Sequence, residues 1–490
     1  MSANSDEILQ QVRAEFEDLL GSVINPVGET APTADVMERS LLRVLLNLGR
    51  SMMRLYFVHQ AHKHAPESVQ DAQGKSLPYH AEKMRSYFSV FGKVCFARRY
   101  YYRNGRGVFP LDAALNLPAK GTSDLVREWR QRISVYDPYN KVGEILSELL
   151  GPRFSTRALA EDVAEDACLV EDYYEQTEPP QPDNAAKILV VQADGKGVPM
   201  VVSSPEAPAV RLGKGQKTGH KKEAVVSGVY TIAACVRTPQ AVVESLFEKT
   251  PGKPERPARS RPHNKRLWAT LEGKDAALQF AHKQVQQQEG AHIEHRVALT
   301  DGAEALQQRV EKAFPAFTLV LDIIHAIEYL WKAANALLGE NAPERTAWVK
   351  ARALQMLQGE ADALIADLRD LSQEPTCKAE AKRTLLKVAG YYERNRAYMH
   401  YDQYLSRGWP IATGVIEGAC GHLVKDRCEL SGMRWSQAGA EALLHLRCVA
   451  ENGDWVAFHA YRRDQRHRTL YGNRGFALHD RAAPELSLAA

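Results

Sequence analysis

Three acids stand out by position. Asp194 closes the apolar run of "ILVVQADGKGVPM", Asp301 follows another in "HRVALTDGAEAL", and Glu417 lies one turn into the helical "GVIEGACGHLVKDRC". Carboxylates brought together could hold two divalent ions ~3.5–4 Å apart, which activate an attacking oxygen and stabilise a leaving one in phosphoryl displacement. Magnesium suits such a site, because it prefers hard oxygen ligands and keeps several waters. Each acid also has a plain structural reading. Asp-Gly after a strand is a common turn signal, and a Glu in the first turn of a helix favours the macrodipole. The residues by themselves leave both readings open.

Convergence depends on the elements that carry the acids. Ile188–Ala193, Val198–Ser203, Ala224–Val236, Ile293–Thr300 and Phe317–Ile324 read as five strands, with Gly195 and Gly197 turning the first into the second. A helix from about Lys265 to Gln288 precedes the fourth strand, and Ala303–Phe314 separates it from the fifth. Three strands, helix, strand, helix, strand is the RNase H-like order, in which the first and fourth strands lie side by side. Asp194 and Asp301 then meet, and a helix packed on the sheet brings Glu417 to the same edge. From about Glu328 to Tyr404 the pattern is helical, as in an insertion. The expected fold class is a multidomain α+β or α/β chain with a mixed five-stranded RNase H-like core.

Before that core, residues 1 to 65 read as helical, and "RSYFSVFGKVCFARRYYYRNG" reads as a hairpin turning at Phe91-Gly92. Val142, Ile145, Leu146, Leu149 and Leu150 mark a helix that Gly151 ends, and Ser155 or Thr156 caps the next. Two helices across a tight turn suit a helix-turn-helix DNA reader, and equally any small helical bundle. The proline-rich "EQTEPPQPDN" is a linker. The expected domains are an N-terminal helical region with a hairpin (1–115), a helix-turn-helix-like DNA-binding module (116–176), the first part of the core (185–335), a helical insertion (336–404), the last part of the core with the Glu helix (405–460), and a loosely ordered basic tail (461–490).

Charge adds a partner class. The net charge of +3 conceals a stretch from Arg211 to Arg266 with 13 Lys/Arg against 4 Glu. A solvated face explains such a run, and so does a phosphate backbone. The seven cysteines are scattered without a CxxC pair, which suits reduced thiols in a cytoplasmic protein. Cys420, His422 and Cys428 do not make a zinc set, because the two cysteines lie two turns apart on one helix. "MSANSDEILQ" is polar and acidic, and no apolar run approaches the ~20 residues that span a bilayer, so neither a leader nor a membrane is expected.

Three segments, "LVVQADGKGV", "LTDGAEALQQRVEKAFP" followed by "LDIIHAIEYLW", and "YLSRGWPIATGVIEGACGHLVKDRCELSGMRWS", together resemble bacterial insertion-sequence transposases of the ISKra type. These are DDE enzymes related to the Mutator-like superfamily, and the resemblance covers roughly residues 85 to 455. It implies a metal-binding catalytic triad of Asp194, Asp301 and Glu417 holding two Mg²⁺ ions, for which Mn²⁺ can substitute. Related transposases carry Cys-x-x-His where this chain has Asp322-x-x-His325, so these two are expected to support the ligands from behind. Lys214, Lys217, Lys221, Lys222, Lys425 and Arg434 would meet DNA phosphates, and Trp435 would stack on a splayed base or pack in the core. The implied reaction is cleavage at terminal inverted repeats and transfer of the freed 3′ end to target DNA. Partners are then double-stranded DNA and at least a second copy of the chain. The rival readings are an RNase H-like nuclease without strand transfer and a domesticated DNA-binding protein. A glycosidase using paired carboxylates has little support beside so basic a stretch.

Overall fold

The computed structural model describes residues 5–25, 31–70, 74–201, 221–247, 261–430 and 432–472. Lys214, Lys217 and the basic tail beyond residue 472 lie outside them. The chain forms two compact units, one from residues 1–173 together with 454–490 and the other from 174–453. No helix among the described residues is long and apolar enough to cross a membrane.

The first unit opens with two helices, α1 (Ser5–Ile24) and α2 (Ala34–Lys63). They run antiparallel, since Ile8 near the start of α1 shares a core with Phe57 and Val58 near the end of α2. Four antiparallel strands follow in sequence order, β1 (Ser68–Gln70), β2 (Ser76–Ser89), β3 (Gly92–Arg103) and β4 (Arg106–Val108). β2 and β3 form the expected hairpin, turning at Val90-Phe91. Phe91 lies directly over Gly49 of α2, where any Cβ would collide with its ring.

Three further helices pack together around Val142, Leu146 and Leu159. Tyr139–Leu150 ends at Gly151, whose φ of +89° is readily reached only without a Cβ. The Ser155 hydroxyl caps Thr156–Ala167 by accepting from Ala158 N–H. This second helix carries four acids against one arginine. Two of them, Asp162 and Asp166, are buried against Arg127 and Arg130. Its composition is therefore accounted for by an internal ion network.

Residues 461–470 are part of the helix Trp455–Leu470 and not of a loose tail. Basic side chains hold this helix in the first unit: Arg462 and Arg466 pair with Asp124, and Arg463 pairs with Glu128. His459 on the same helix is buried, and neither ring nitrogen has a hydrogen-bond partner. Burial, then the Arg462 and Arg463 charges, push its pKa down to about 3. The unfolded chain takes up this proton near pH 6.5 and the folded unit only near pH 3, so stability falls as pH drops through that window. Between pH 7 and pH 4 this group is expected to cost about 3 kcal/mol, read from urea midpoints at the two pH values, and His459→Phe should remove that part of the loss.

The second unit is built on a five-stranded mixed sheet of β5 (Ile188–Pro199), β6 (Lys221–Ile232), β7 (His263–Thr270), β8 (His295–Thr300) and β9 (Thr318–Leu321). The spatial order is β7-β6-β5-β8-β9, with β6 antiparallel to both neighbours and β5, β8 and β9 parallel. This is the RNase H-like arrangement. Both faces of β5 are buried, which explains its unbroken apolar run: Ile188 and Val190 enter one core, and Leu189, Val191 and Ala193 the other. The helices from Ile323 to Asn395 pack into the same core as Ile188 and Val190.

Two of the expected strands come out differently. Ile188–Ala193 and the start of the supposed second strand are one continuous strand, with Asp194 inside it. Gly195 and Gly197 do not make a turn. They make room for side chains of the neighbouring strand, since a Cβ at Gly195 would strike Glu223 and one at Gly197 would strike Lys221. The missing strand is β7, which takes residues assigned above to the start of a helix. That helix begins later, at Lys274, after Gly273 with φ +104°.

Candidate active site

The parallel strands β5, β8 and β9 point their C-terminal ends to one edge of the sheet, where α/β proteins place their ligands. Pairing of β5 with β8 stops at Gln192–Leu299, while β5 continues against β6, so Asp194 sits just beyond the end of its parallel neighbour. Asp301 directly follows β8 and Asp322 directly follows β9. The short helix Gly414–Ala419 carries Glu417, and its backbone is fixed to β5 by Gln192. The fully buried Gln192 side chain accepts from Ile416 N–H (3.1 Å) and donates to Tyr230 Oη (3.0 Å) and the Ala412 carbonyl (3.4 Å). A π-helical turn, Cys420–Lys425, follows at once, and such turns are frequent at functional sites.

Each acid has defined partners. Asp194 accepts from Gly195 N–H (2.6 Å) and from the buried Cys420 thiol (3.6 Å). Burial holds its carboxyl above the usual range; the Gly195 bond opposes this, the Asp301 charge adds to it and His325 counteracts it. Asp301 accepts from Ala303 N–H (2.9 Å) at the entry to the following helix. Asp322 is wholly buried and fully engaged: one oxygen caps its helix through Ile324 N–H (3.0 Å), and the other lies 2.6 Å from His325 Nδ1 and 2.7 Å from the Thr413 hydroxyl. The bond to Asp322 raises His325 to about 9, so at neutral pH its ring is a cation among the acids.

Ligand atoms of Asp322, His325 and Glu417 come within 4.8 Å of one another. Asp194 and Asp301 are not members of that group. Both spend an oxygen on a local backbone N–H, and their charges oppose each other. The Thr413 hydroxyl lies 2.7 Å from Asp322 and 3.0 Å from Glu417. It has one proton for two carboxylates, so when that proton goes to Asp322 two lone pairs face each other beside Glu417. A cation there relieves them, and the carboxylate oxygens of Asp194, Asp301 and Glu417 are the hard donors that magnesium takes, while the His325 nitrogen is a softer one beside them.

Among the expected DNA contacts, Lys425 and Arg434 are exposed, and Lys222 is half-buried on β6. Lys221 is held in an ion pair with Glu429. Trp435 is buried. Its indole N–H donates to the Cys428 carbonyl (3.2 Å), and its backbone pairs with Pro199 and Val201 at the end of β5. Sequence reasoning missed Gln192, Thr413 and Cys420. Gln192 is the one polar residue in "ILVVQA", and Thr413 precedes Glu417 by one helical turn. Thr413→Val is expected to lower any metal-dependent activity about tenfold, the share of one charge-assisted hydrogen bond. Thr413→Ser should restore the activity, and equal activity in all three proteins would remove Thr413 from the site.

No protein-family model matches the sequence, and no curated protein does. Among solved structures, the "Drosophila P element transposase strand transfer complex" aligns over 70% of this chain and 97% of that one, at 9% identity and a TM-score of 0.33. So loose an overlap carries no weight beside the geometry above.

Proposed function

We propose that this chain is a DNA transposase of the bacterial insertion-sequence type, with Asp194, Asp301 and Glu417 as its catalytic acids. The observation that carries the reading is the edge itself. Asp194 and Asp301 leave adjacent parallel strands close enough for one charge to perturb the other, and Gln192 straps the Glu417 helix to the same strand. Two magnesium ions, or manganese in their place, would be held by these three carboxylates and supply the charge that activates an attacking oxygen and stabilises a leaving one. Gln192 and Thr413 fix where Glu417 points. The His325 cation is positioned to attract a phosphate oxygen, and the exposed Lys425 and Arg434 extend that attraction along a DNA strand.

A second reading has an observation of its own. Asp322, His325 and Glu417 are the tighter cluster and could ligate an ion directly, once the proton on His325 is displaced.

The deciding experiment is a joining assay with purified protein, Mg²⁺ or Mn²⁺, a labelled duplex bearing the source element's terminal repeat, and a plasmid target. Covalent joining of the labelled 3′ end to the plasmid is the expected result. Cleavage without joining would identify a nuclease, and binding without cleavage a domesticated DNA-binding protein.

A further inference from the structure

Asp301 reaches the sheet edge on a turn that β8 does not fix by itself. The ladder of β8 ends at Thr300, so the carbonyls of Asp301 and Gly302 need donors from elsewhere. Both donors come from the last turn of one helix, Ala379–Asn395. The Tyr391 hydroxyl donates to the Asp301 carbonyl (3.1 Å), and the Arg394 guanidinium donates to the Gly302 carbonyl (3.2 Å). Asn395 adds a third tie by accepting from Gln307 (2.7 Å), on the helix that follows the turn, and both of these side chains are buried. Positions 391, 394 and 395 share one helical face, which is thus given over to the segment from Asp301 to Gln307. Gly302 fits this contact as well as its own φ of +87°, since a Cβ there would strike the Tyr391 hydroxyl and Leu321 Cδ1.

Buried hydroxyls find acceptors as a matter of course. Tyr392 and Tyr401 are wholly buried, and they donate to the carbonyls of Ala326 (2.7 Å) and Leu321 (2.9 Å). Arg394 is under no such compulsion, because it is exposed and water would serve its donors. The Tyr391 ring is held flat against that of Tyr329, with centroids 3.7 Å apart and planes 3° from parallel. Tyr329 lies one turn after His325 on the helix Ile323–Leu338, so the support behind Asp301 is continuous with the helix that carries His325.

What this support resists is charge. The Asp194 and Asp301 carboxylates oppose each other. Asp194 is fixed inside β5, opposite Val226 of β6, so the Asp301 turn is the part that can yield. We propose that Tyr391 and Arg394 are positioning residues for Asp301, holding its turn against the Asp194 charge so that a divalent cation finds both carboxylates already in place. This rests on the reading of Asp194, Asp301 and Glu417 as the metal-binding acids, and it gives the helices between β9 and Glu417 a task in the chemistry.

The test compares the wild type with Tyr391→Phe, which keeps the stacked ring, with Arg394→Met, and with the two changes together. Mg²⁺ is titrated against melting temperature and, with a labelled duplex, against cleavage rate. Each single change should raise the Mg²⁺ concentration at half effect about fivefold, the share of one hydrogen bond, and the pair should raise it further. Saturating Mg²⁺ should return most of the cleavage rate, and the Kd for the duplex should not change. Hydrogen exchange read by mass spectrometry should be faster at residues 301–307 in the variants and unaltered in β5. A double variant with the wild-type Mg²⁺ midpoint overturns the proposal. So does a rate loss that follows melting temperature and ignores Mg²⁺, or unchanged exchange at 301–307. In each of these cases the wild type still responds to Mg²⁺ and the metal-site reading stands. A wild type that neither responds to Mg²⁺ nor cleaves removes that reading, and this proposal with it.

Discussion

Glu417→Ala is expected to abolish metal-dependent cleavage and joining, a loss on the order of 10³-fold or more, because removing one group that stabilises charge at the reacting atoms already costs 10²–10³-fold. Asp194→Ala and Asp301→Ala should be equally inactive. Asp322→Ala is the discriminating variant. With the metals on Asp194, Asp301 and Glu417, it frees His325 and Thr413 but leaves the ligands in place, and measurable joining survives. With an ion on Asp322, His325 and Glu417, Asp322→Ala is dead and Asp301→Ala remains active. A readout without DNA accompanies the assay. Burial raises the Asp194 pKa, so the folded state holds its proton longer than the unfolded chain does, and stability is lost as pH rises through that window. Asp194→Asn should therefore leave the protein at neutral pH at least as stable as the wild type. Millimolar Mg²⁺ should raise the melting temperature of the wild type by a few degrees and that of the variant much less. Equal Mg²⁺ shifts in the two proteins would place the ion away from Asp194.

The largest effect on stability is expected in the first unit. Arg127 grips Asp166 through two parallel bonds of 2.9 and 2.8 Å, and Gln131 donates to the same carboxylate at 2.7 Å. All three side chains are buried or nearly so, and Arg462 approaches from the returning helix at 3.5 Å. Asp166→Ala leaves a guanidinium and an amide without their principal acceptor in a dry site, which typically costs about 3–5 kcal/mol. Denaturant unfolding of the full chain should show the loss in the transition that belongs to this unit. Adding Arg127→Met should recover part of it, because replacing both partners of a buried pair by apolar groups costs less than orphaning one. A loss below about 1 kcal/mol would mean that water reaches the cluster.

Local signals in the sequence were legible wherever local chemistry decides the structure. The hairpin, the helix stop at Gly151 and the Ser155 cap need only neighbouring residues to form, and each forms, the hairpin turning at Val90-Phe91, one residue before the expected Phe91-Gly92. The mixed five-stranded sheet was legible as a class, but two of its strands were not. Glycine between apolar runs reads as a turn, yet Gly195 and Gly197 answer to side chains on β6, some 25 residues away, which periodicity cannot see. Trp435 has the same lesson: the sequence left it open between a base contact and the core, and its burial depends on the end of a strand more than 230 residues earlier. At the candidate site the acids announced themselves by position, but the side chains that aim them did not. Gln192 and Thr413 matter through partners on other elements, and the sheet topology alone brings those together.

The first unit is made from both ends of the chain, with the whole second unit spliced between them. On a ribosome this imposes a wait. Asp124 and Arg462, which pair at 2.7 Å, are 338 residues apart in sequence. At ~5–20 residues per second, roughly 20–70 s pass between their emergence, and in that time the acid-bearing core can fold on its own. The first unit closes only when the Trp455–Leu470 helix arrives, so translation that stops before Asp454 leaves the half-buried carboxylates of Asp124 and Glu128 with no arginines from that helix to meet them.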